Sequence, residues 1–102
     1  MQVQQLLNAT TTIGQGKIFK GVSHRKTYQA VGATTSGTGT ATININGSND
    51  GVAFDLIATL TLTLGTVSTS TSTTVDDRYA FVVANMTVLT GTGASVNVTM
   101  AF

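Results

Sequence analysis

The sequence contains no cysteine, no proline and no tryptophan. Without cysteine the fold has neither a disulfide to stabilise it nor a thiolate to bind a metal. The single histidine, His24, does not supply the several ligands of a zinc site within one chain. Stability must therefore come from a hydrophobic core, and a chain of 102 residues is long enough to form one.

Charge is scarce as well: five residues are basic, four are aspartates and none is glutamate. The formal net charge of +1 argues against nucleic-acid binding, which needs a strongly basic surface. A surface with this small number of charges repels other proteins only weakly, which suits a subunit that stays packed against partners. Apolar runs are too short to span a membrane. Residues 1–5 lack the basic-then-apolar pattern of a secretory leader, so we expect no signal peptide.

The clearest pattern is the alternation of apolar and polar residues over residues 40–64, which predicts a long β-hairpin that supplies much of the core. Its turn is formed by Asn49, Asp50 and Gly51, residue types that tolerate positive φ angles. After this structural turn every second residue is again apolar, and the expected buried positions are Phe54, Leu56, Ala58, Leu60, Leu62 and Leu64.

Five other segments have strand character: residues 2–12, 26–32, 67–75, 79–89 and 94–102. Residues 67–75 are rich in serine and threonine, which indicates a solvated edge strand or a loop. The alternative is a strand that hydrogen-bonds a neighbouring subunit. Residues 79–89 are apolar on both faces, which places them mid-sheet or beneath another chain.

Together these segments predict an all-β fold, a single β-sandwich of seven or eight antiparallel strands, jelly-roll or immunoglobulin-like in topology. We expect one domain, with residues 1–26 as an N-terminal arm containing the first strand and a basic loop, and residues 27–102 as the sandwich. The repeated motif Gly37-Thr38-Gly39 and Gly91-Thr92-Gly93 indicates one strand–turn–strand hairpin used twice, unless the similarity is a chance product of composition.

The aspartates belong to no catalytic motif. Asp50 and Asp55 flank the hairpin turn, and Asp76 and Asp77 form a second polar turn, where solvated aspartates are common. Asn49, Asp50 and Asp55 offer oxygens to a Ca²⁺ ion, but the spacing typical of a calcium loop is absent. We therefore expect no catalytic residues, no cofactor, no metal site and no enzymatic activity.

Basic residues cluster in one short stretch of the chain, as Lys17, Lys20, Arg25 and Lys26 beside His24. This cluster is either a solvated loop or a surface that docks on an acidic protein. Nucleic acid is the least favoured partner, because few aromatic residues lie nearby for base stacking. We take these five residues as candidate contacts to a capsid or another protein partner.

The apolar second face of residues 79–89 provides the other candidate surface. Its members Tyr79, Phe81 and Val83 are the predicted contacts between subunits, because a strand that is apolar on both faces needs cover on both.

Several motifs resemble those of small structural proteins in tailed-bacteriophage virions. They are Tyr28-Gln29-Ala30-Val31-Gly32, Ala41-Thr42-Ile43-Asn44-Ile45, the turn Ser48-Asn49-Asp50-Gly51 followed by Phe54, and a final strand–turn–strand unit over residues 79–102. The resemblance covers residues 28–102. It implies a non-enzymatic β-sandwich of the virion, such as a capsid decoration (cement) protein, and supplies no catalytic residues.

On this resemblance we expect a protein that binds the exterior of a phage head and stabilises it. Its partners would be the major capsid protein and further copies of itself, as a dimer or trimer. Its location would be the virion, assembled in the host cytoplasm, and the contact would come from residues 1–26. The alternatives are a tail- or neck-associated adaptor and a module that binds host glycans, although only two tyrosines and no tryptophan are available to stack on sugars.

Overall fold

The computed structural model of the chain describes residues 3–20, 25–76 and 79–101. Within these residues the protein is all-β, as predicted, and no helix occurs. The described residues form nine strands rather than the predicted seven or eight, because one edge of a sheet is divided into two short strands. The strands are β1 (Val3–Thr10), β2 (Gly14–Gln15), β3 (Phe19–Lys20), β4 (Arg25–Ala33), β5 (Gly39–Ser48), β6 (Asp55–Leu64), β7 (Thr69–Asp76), β8 (Phe81–Leu89) and β9 (Ser95–Ala101).

The strands form two antiparallel sheets. The four-stranded sheet has the order β1-β9-β4-β7, and the five-stranded sheet has the order β2-β8-β5-β6 with β3 also paired to β8. The divided edge arises because β2 and β3 pair with different parts of β8, Gly14 lying opposite Met86 and Phe19 opposite Val82. Strand β8 therefore lies mid-sheet, between β5 and this divided edge.

One hydrophobic core joins the two sheets in a sandwich-like arrangement. The longer strands contribute side chains that face the other sheet, and burying one valine, leucine or isoleucine contributes about 1.5–3 kcal/mol. The buried residues of this core are Leu6, Leu7, Tyr28, Ala30, Ala41, Ile43, Ile45, Leu60, Leu62, Leu64, Val82, Ala84, Met86, Ala94, Val96, Val98 and Met100.

The predicted hairpin is present, with β5 and β6 paired from Gly39 and Leu64 at one end to Gly47 and Asp55 at the other. The expected burial of Leu56 is wrong, because this side chain is 60 % exposed. Ile45 pairs with Ala58 whereas Asn46 pairs with Leu56, so Ile57 is an extra residue on β6. Such a β-bulge reverses the alternation, since one unpaired residue moves the preceding side chains to the other face.

The two Gly-Thr-Gly segments do not form the predicted hairpins. Each joins strands of different sheets, since β4 leads into β5 and β8 into β9. The segments nevertheless lie side by side. The N–H of Thr35 donates to the carbonyl of Thr92 at 3.0 Å, and the N–H of Thr90 donates to the carbonyl of Thr40 at 2.9 Å. A Cβ at Gly39 would overlap the Thr90 carbonyl oxygen, so this approach requires glycine.

Candidate interaction surfaces

The charged residues lie mainly at one end of the two sheets. Register places the first residues of β4, the last residue of β7, the start of β8 and the 49–54 connection at one end of the two sheets. This charged end contains most of the charged residues within the described ranges, and they are Lys20, Arg25, Lys26, Asp50, Asp55 and Asp76, with Lys17 nearby between β2 and β3. The opposite end is formed by connections 34–38, 65–68 and 90–94, which contain no charged residue. We call it the threonine–glycine end.

The predicted basic cluster is only partly brought together at the surface. Lys17, Lys20 and Arg25 are exposed, and Lys17 Nζ lies 5.7 Å from the centre of the Phe19 ring, within the range of a cation–π contact. Lys26 is 1 % exposed and lies opposite Val75, on the strand face that is turned toward the core. Three exposed cations therefore remain as candidate capsid contacts among the described residues.

His24, the fifth member of that predicted cluster, lies outside the described residues. The burial of Lys26 does not leave its ammonium unsatisfied, because every buried side-chain nitrogen or oxygen in the described ranges has a hydrogen-bond partner. A buried lysine that is hydrogen-bonded contributes to the internal packing of the charged end and presents no charge to a partner.

The 49–54 connection is held by a dense set of hydrogen bonds around Ser48 and Asp50. The Ser48 hydroxyl, which is buried, donates to Asp50 Oδ1 at 2.9 Å and accepts from the N–H of Gly51 at 2.9 Å. The same Oδ1 accepts from the N–H groups of Val52 at 2.8 Å and Ala53 at 3.0 Å. Gly51 adopts a φ of 78°, which is a left-handed conformation.

These contacts lower the pKa of Asp50 to about 2, because the N–H groups of Val52 and Ala53, followed by the Ser48 hydroxyl, stabilise the carboxylate. One carboxylate oxygen is thus occupied by internal donors. The group is a structural part of the connection, and no cluster of three or more potential metal-ligating side chains forms in the part of the chain that the structure describes.

Tyr79 and Phe81, two of the predicted subunit contacts, pack on the β5–β6 hairpin of their own chain. A Cβ at Gly47 would collide with the Tyr79 ring, and a Cβ at Gly51 would lie 3.8 Å from the Phe81 ring. The N–H of Ala80 donates to Asn49 Oδ1 at 3.3 Å. The hairpin connection and the segment before β8 therefore form one unit at the charged end.

Val83, the third predicted subunit contact, is 0 % exposed within the single chain. It lies in β8 opposite Asn46 of β5, and the other side of β8 is lined by β2 and β3. Because Val83 is fully buried within its own chain, it has no exposed surface to offer a second subunit.

A shallow hollow opens at the threonine–glycine end. It contains neither an aromatic nor a charged side chain, and its lining consists of Gly37, Thr38, Thr63, Leu64, Gly65, Thr66, Val67 and Thr69. The sequence alone does not reveal this hollow or the separation of charge between the two ends. Both features depend on which strand ends meet in space, and no local motif marks them.

Comparison with known proteins gives no match to a family model, a curated protein or a solved structure. In the described ranges no helix has the length and apolar character needed to cross a membrane.

Proposed function

We propose that the protein is a non-enzymatic structural subunit of a phage virion that binds the capsid exterior and stabilises the head. The observation that carries this proposal is the strand order. With β2 and β3 taken as one edge strand, the described residues form eight strands. The first pairs with the last, the second with the seventh, the third with the sixth and the fourth with the fifth.

This pairing supports a jelly-roll topology, in which a long hairpin is folded over into two Greek keys. An immunoglobulin-like fold would place its first two strands side by side in one sheet, whereas here β1 and β2 belong to different sheets. Jelly rolls are common in viral capsid proteins and in lectins. The strand order thus supports the same class of function as the resemblance to virion proteins.

The lectin alternative has less support from the surface. Tyr28 is 0 % exposed and belongs to the core, so it offers no ring to a sugar. The hollow at the threonine–glycine end is not lined by an aromatic side chain. Capsid binding needs neither feature, because a broad protein contact depends on complementary shape and charge.

The mechanism is passive linkage. A protein that binds only the assembled lattice stabilises that lattice by its free energy of binding. Many copies on one shell add avidity, so each contact can be weak. We assign the capsid contact to the charged end, where the exposed cations Lys20 and Arg25 can pair with acidic groups of the capsid. The exposed aspartates at this end, Asp50, Asp55 and Asp76, can pair with basic groups of the capsid.

Mixing the purified protein with phage heads assembled without it tests the proposal. We expect the protein to sediment with the heads and to raise the temperature at which they release DNA. Failure to bind heads would contradict the proposal. Binding to isolated tails alone would support the adaptor alternative, and specific retention on a glycan array would support the lectin alternative; either result would overturn capsid decoration.

A further inference from the structure

The two sheets have four edges in the described part of the chain, and three of them are interrupted. Strand β1 has register shifts on both sides of Leu7 where it pairs with β9. Strands β2 and β3 are two residues long each, and β6 contains the bulge at Ile57. Natural sheets protect their edges with such bulges and short strands, which prevent other chains from adding to them.

Strand β7 is the uninterrupted edge. Its eight residues pair with β4 from Asp76 opposite Arg25 to Thr69 opposite Gly32 without a register shift. It contains no proline, glycine or lysine, and its single charge, Asp76, lies at the last position. Among the described strands only β4 pairs with it, so one side of its backbone is open to another strand.

We propose that this edge pairs with β7 of a second copy of the chain, antiparallel and across a two-fold axis. The pairing is independent of capsid binding, because it needs only the chain itself. It would join the two four-stranded sheets into one continuous sheet of eight strands, an interface that is the same on both copies.

The side chains of β7 are compatible with this symmetry. Thr69, Thr71, Thr73 and Val75 are half-buried and alternate with residues that are exposed. A two-fold axis centred on Ser72 or on Thr73 places residues of like position opposite one another, so each set stays on its own face. Apart from Val75 and Asp76 and the residues opposite them, hydroxyl groups then meet hydroxyl groups. Thr27 and Thr74 already do so across β4 and β7, with Oγ1 atoms 2.9 Å apart.

Charge also favours an antiparallel second copy. With either centre, Asp76 lies opposite a serine of the second copy, Ser68 or Ser70, and the two carboxylates are far apart. A parallel arrangement in register would set Asp76 directly against its counterpart, and like charges opposite one another are destabilising. The other exposed residues of β7 are all serine or threonine, so they carry no charge that would repel a second copy.

Cysteine substitution tests the geometry directly, because the natural chain has no cysteine. If the axis is at Ser72, the Ser72→Cys variant forms a disulfide-linked dimer under mild oxidation; if the axis is at Thr73, an equimolar mixture of Ser72→Cys and Thr74→Cys cross-links instead. Val3→Cys, also exposed but on β1 at the other edge of this sheet, is the matched control. Cross-linking by none of these β7 variants, or by Val3→Cys as readily as by β7, would overturn the proposal.

Sedimentation velocity over a range of concentrations provides the second measurement. The unmodified chain should form a dimer, and Ser72→Lys should weaken that dimer several-fold, as should Ser72→Asp. Mixing the two variants should restore association, because opposite charges then face each other. Val3→Lys should leave the dimer unchanged. A chain that stays monomeric at all concentrations, or a dimer that is insensitive to charge at Ser72, would contradict pairing through β7.

Discussion

Asp50 stabilises the predicted turn through hydrogen bonds to its carboxylate. The turn chemistry of the Asn-Asp-Gly segment indicates that the chain reverses here. The structure adds that the carboxylate receives the N–H groups of Val52 and Ala53 and the Ser48 hydroxyl. These donors stabilise the charged form of Asp50, which makes the connection sensitive to acid.

We expect Asp50 to add an acid-sensitive contribution to stability. Its folded pKa, about 2, lies below the ordinary value of 3.8, so the stabilisation is complete above about pH 4 and is lost as the pH falls toward about 2. Thermal unfolding between pH 5 and pH 2 measures this loss. Asp50→Asn should be less stable at neutral pH and show a smaller decline in acid; an unchanged decline would contradict the assignment.

Gly39 gives a second test at single-residue scale. We expect Gly39→Ala to destabilise the fold by about 3 kcal/mol, because the new methyl group would overlap a backbone carbonyl that cannot rotate away. Gly65→Ala is the matched control, since a Cβ there meets nothing within 4 Å. Chemical denaturation measures both variants. Equal effects of the two substitutions would show that the two Gly-Thr-Gly segments are not in contact.

At the scale of the element, the alternation of apolar and polar residues predicted the strands well, because burial of one face imposes a period of two. It predicted the hairpin of β5 and β6 and the central nature of β8. It did not predict the bulge at Ile57, since one extra residue in a run of apolar residues leaves the composition unchanged. The Gly-Thr-Gly hairpins were also wrong, because a local pattern does not reveal which sheet the next strand joins.

The bulge at Ile57 leads to a prediction that distinguishes the observed register of β6 from an uninterrupted alternation of buried and exposed residues. Leu56→Ala should change the free energy of unfolding by no more than about 0.5 kcal/mol, because the side chain is 60 % exposed. Leu60→Ala, at 2 % exposure, should cost about 2–5 kcal/mol. Urea denaturation of both variants measures the difference. Comparable costs would mean that β6 alternates without interruption.

For the whole molecule, the sequence reveals a basic cluster but not its position in the fold. The topology separates the cluster, since Lys26 turns inward while Lys20 and Arg25 stay exposed at the charged end. The topology also argues against Tyr79, Phe81 and Val83 as the contact between subunits. The segment before Val83 packs on its own hairpin, and β7 is the edge without a register shift among the described strands. Its sequence predicts a solvated edge strand or a loop, or alternatively a strand that hydrogen-bonds a neighbouring subunit.

Charge removal tests which end of the molecule meets the capsid. Lys20→Gln with Arg25→Gln should weaken binding to heads several-fold and reduce its dependence on salt, because two contacts to an acidic surface are lost. Thr66→Glu with Ser68→Glu changes the net charge by the same amount at the threonine–glycine end and should leave binding unchanged. Equal effects, measured by co-sedimentation, would rule out the charged end as the contact.

Electron cryo-microscopy of phage heads assembled without the protein and then saturated with it tests the central claim most directly. The account predicts added density on the outer capsid surface, of a size that fits this two-sheet fold, with the charged end toward the major capsid protein. Heads without added density, or density confined to the tail or neck, would contradict a role in capsid decoration.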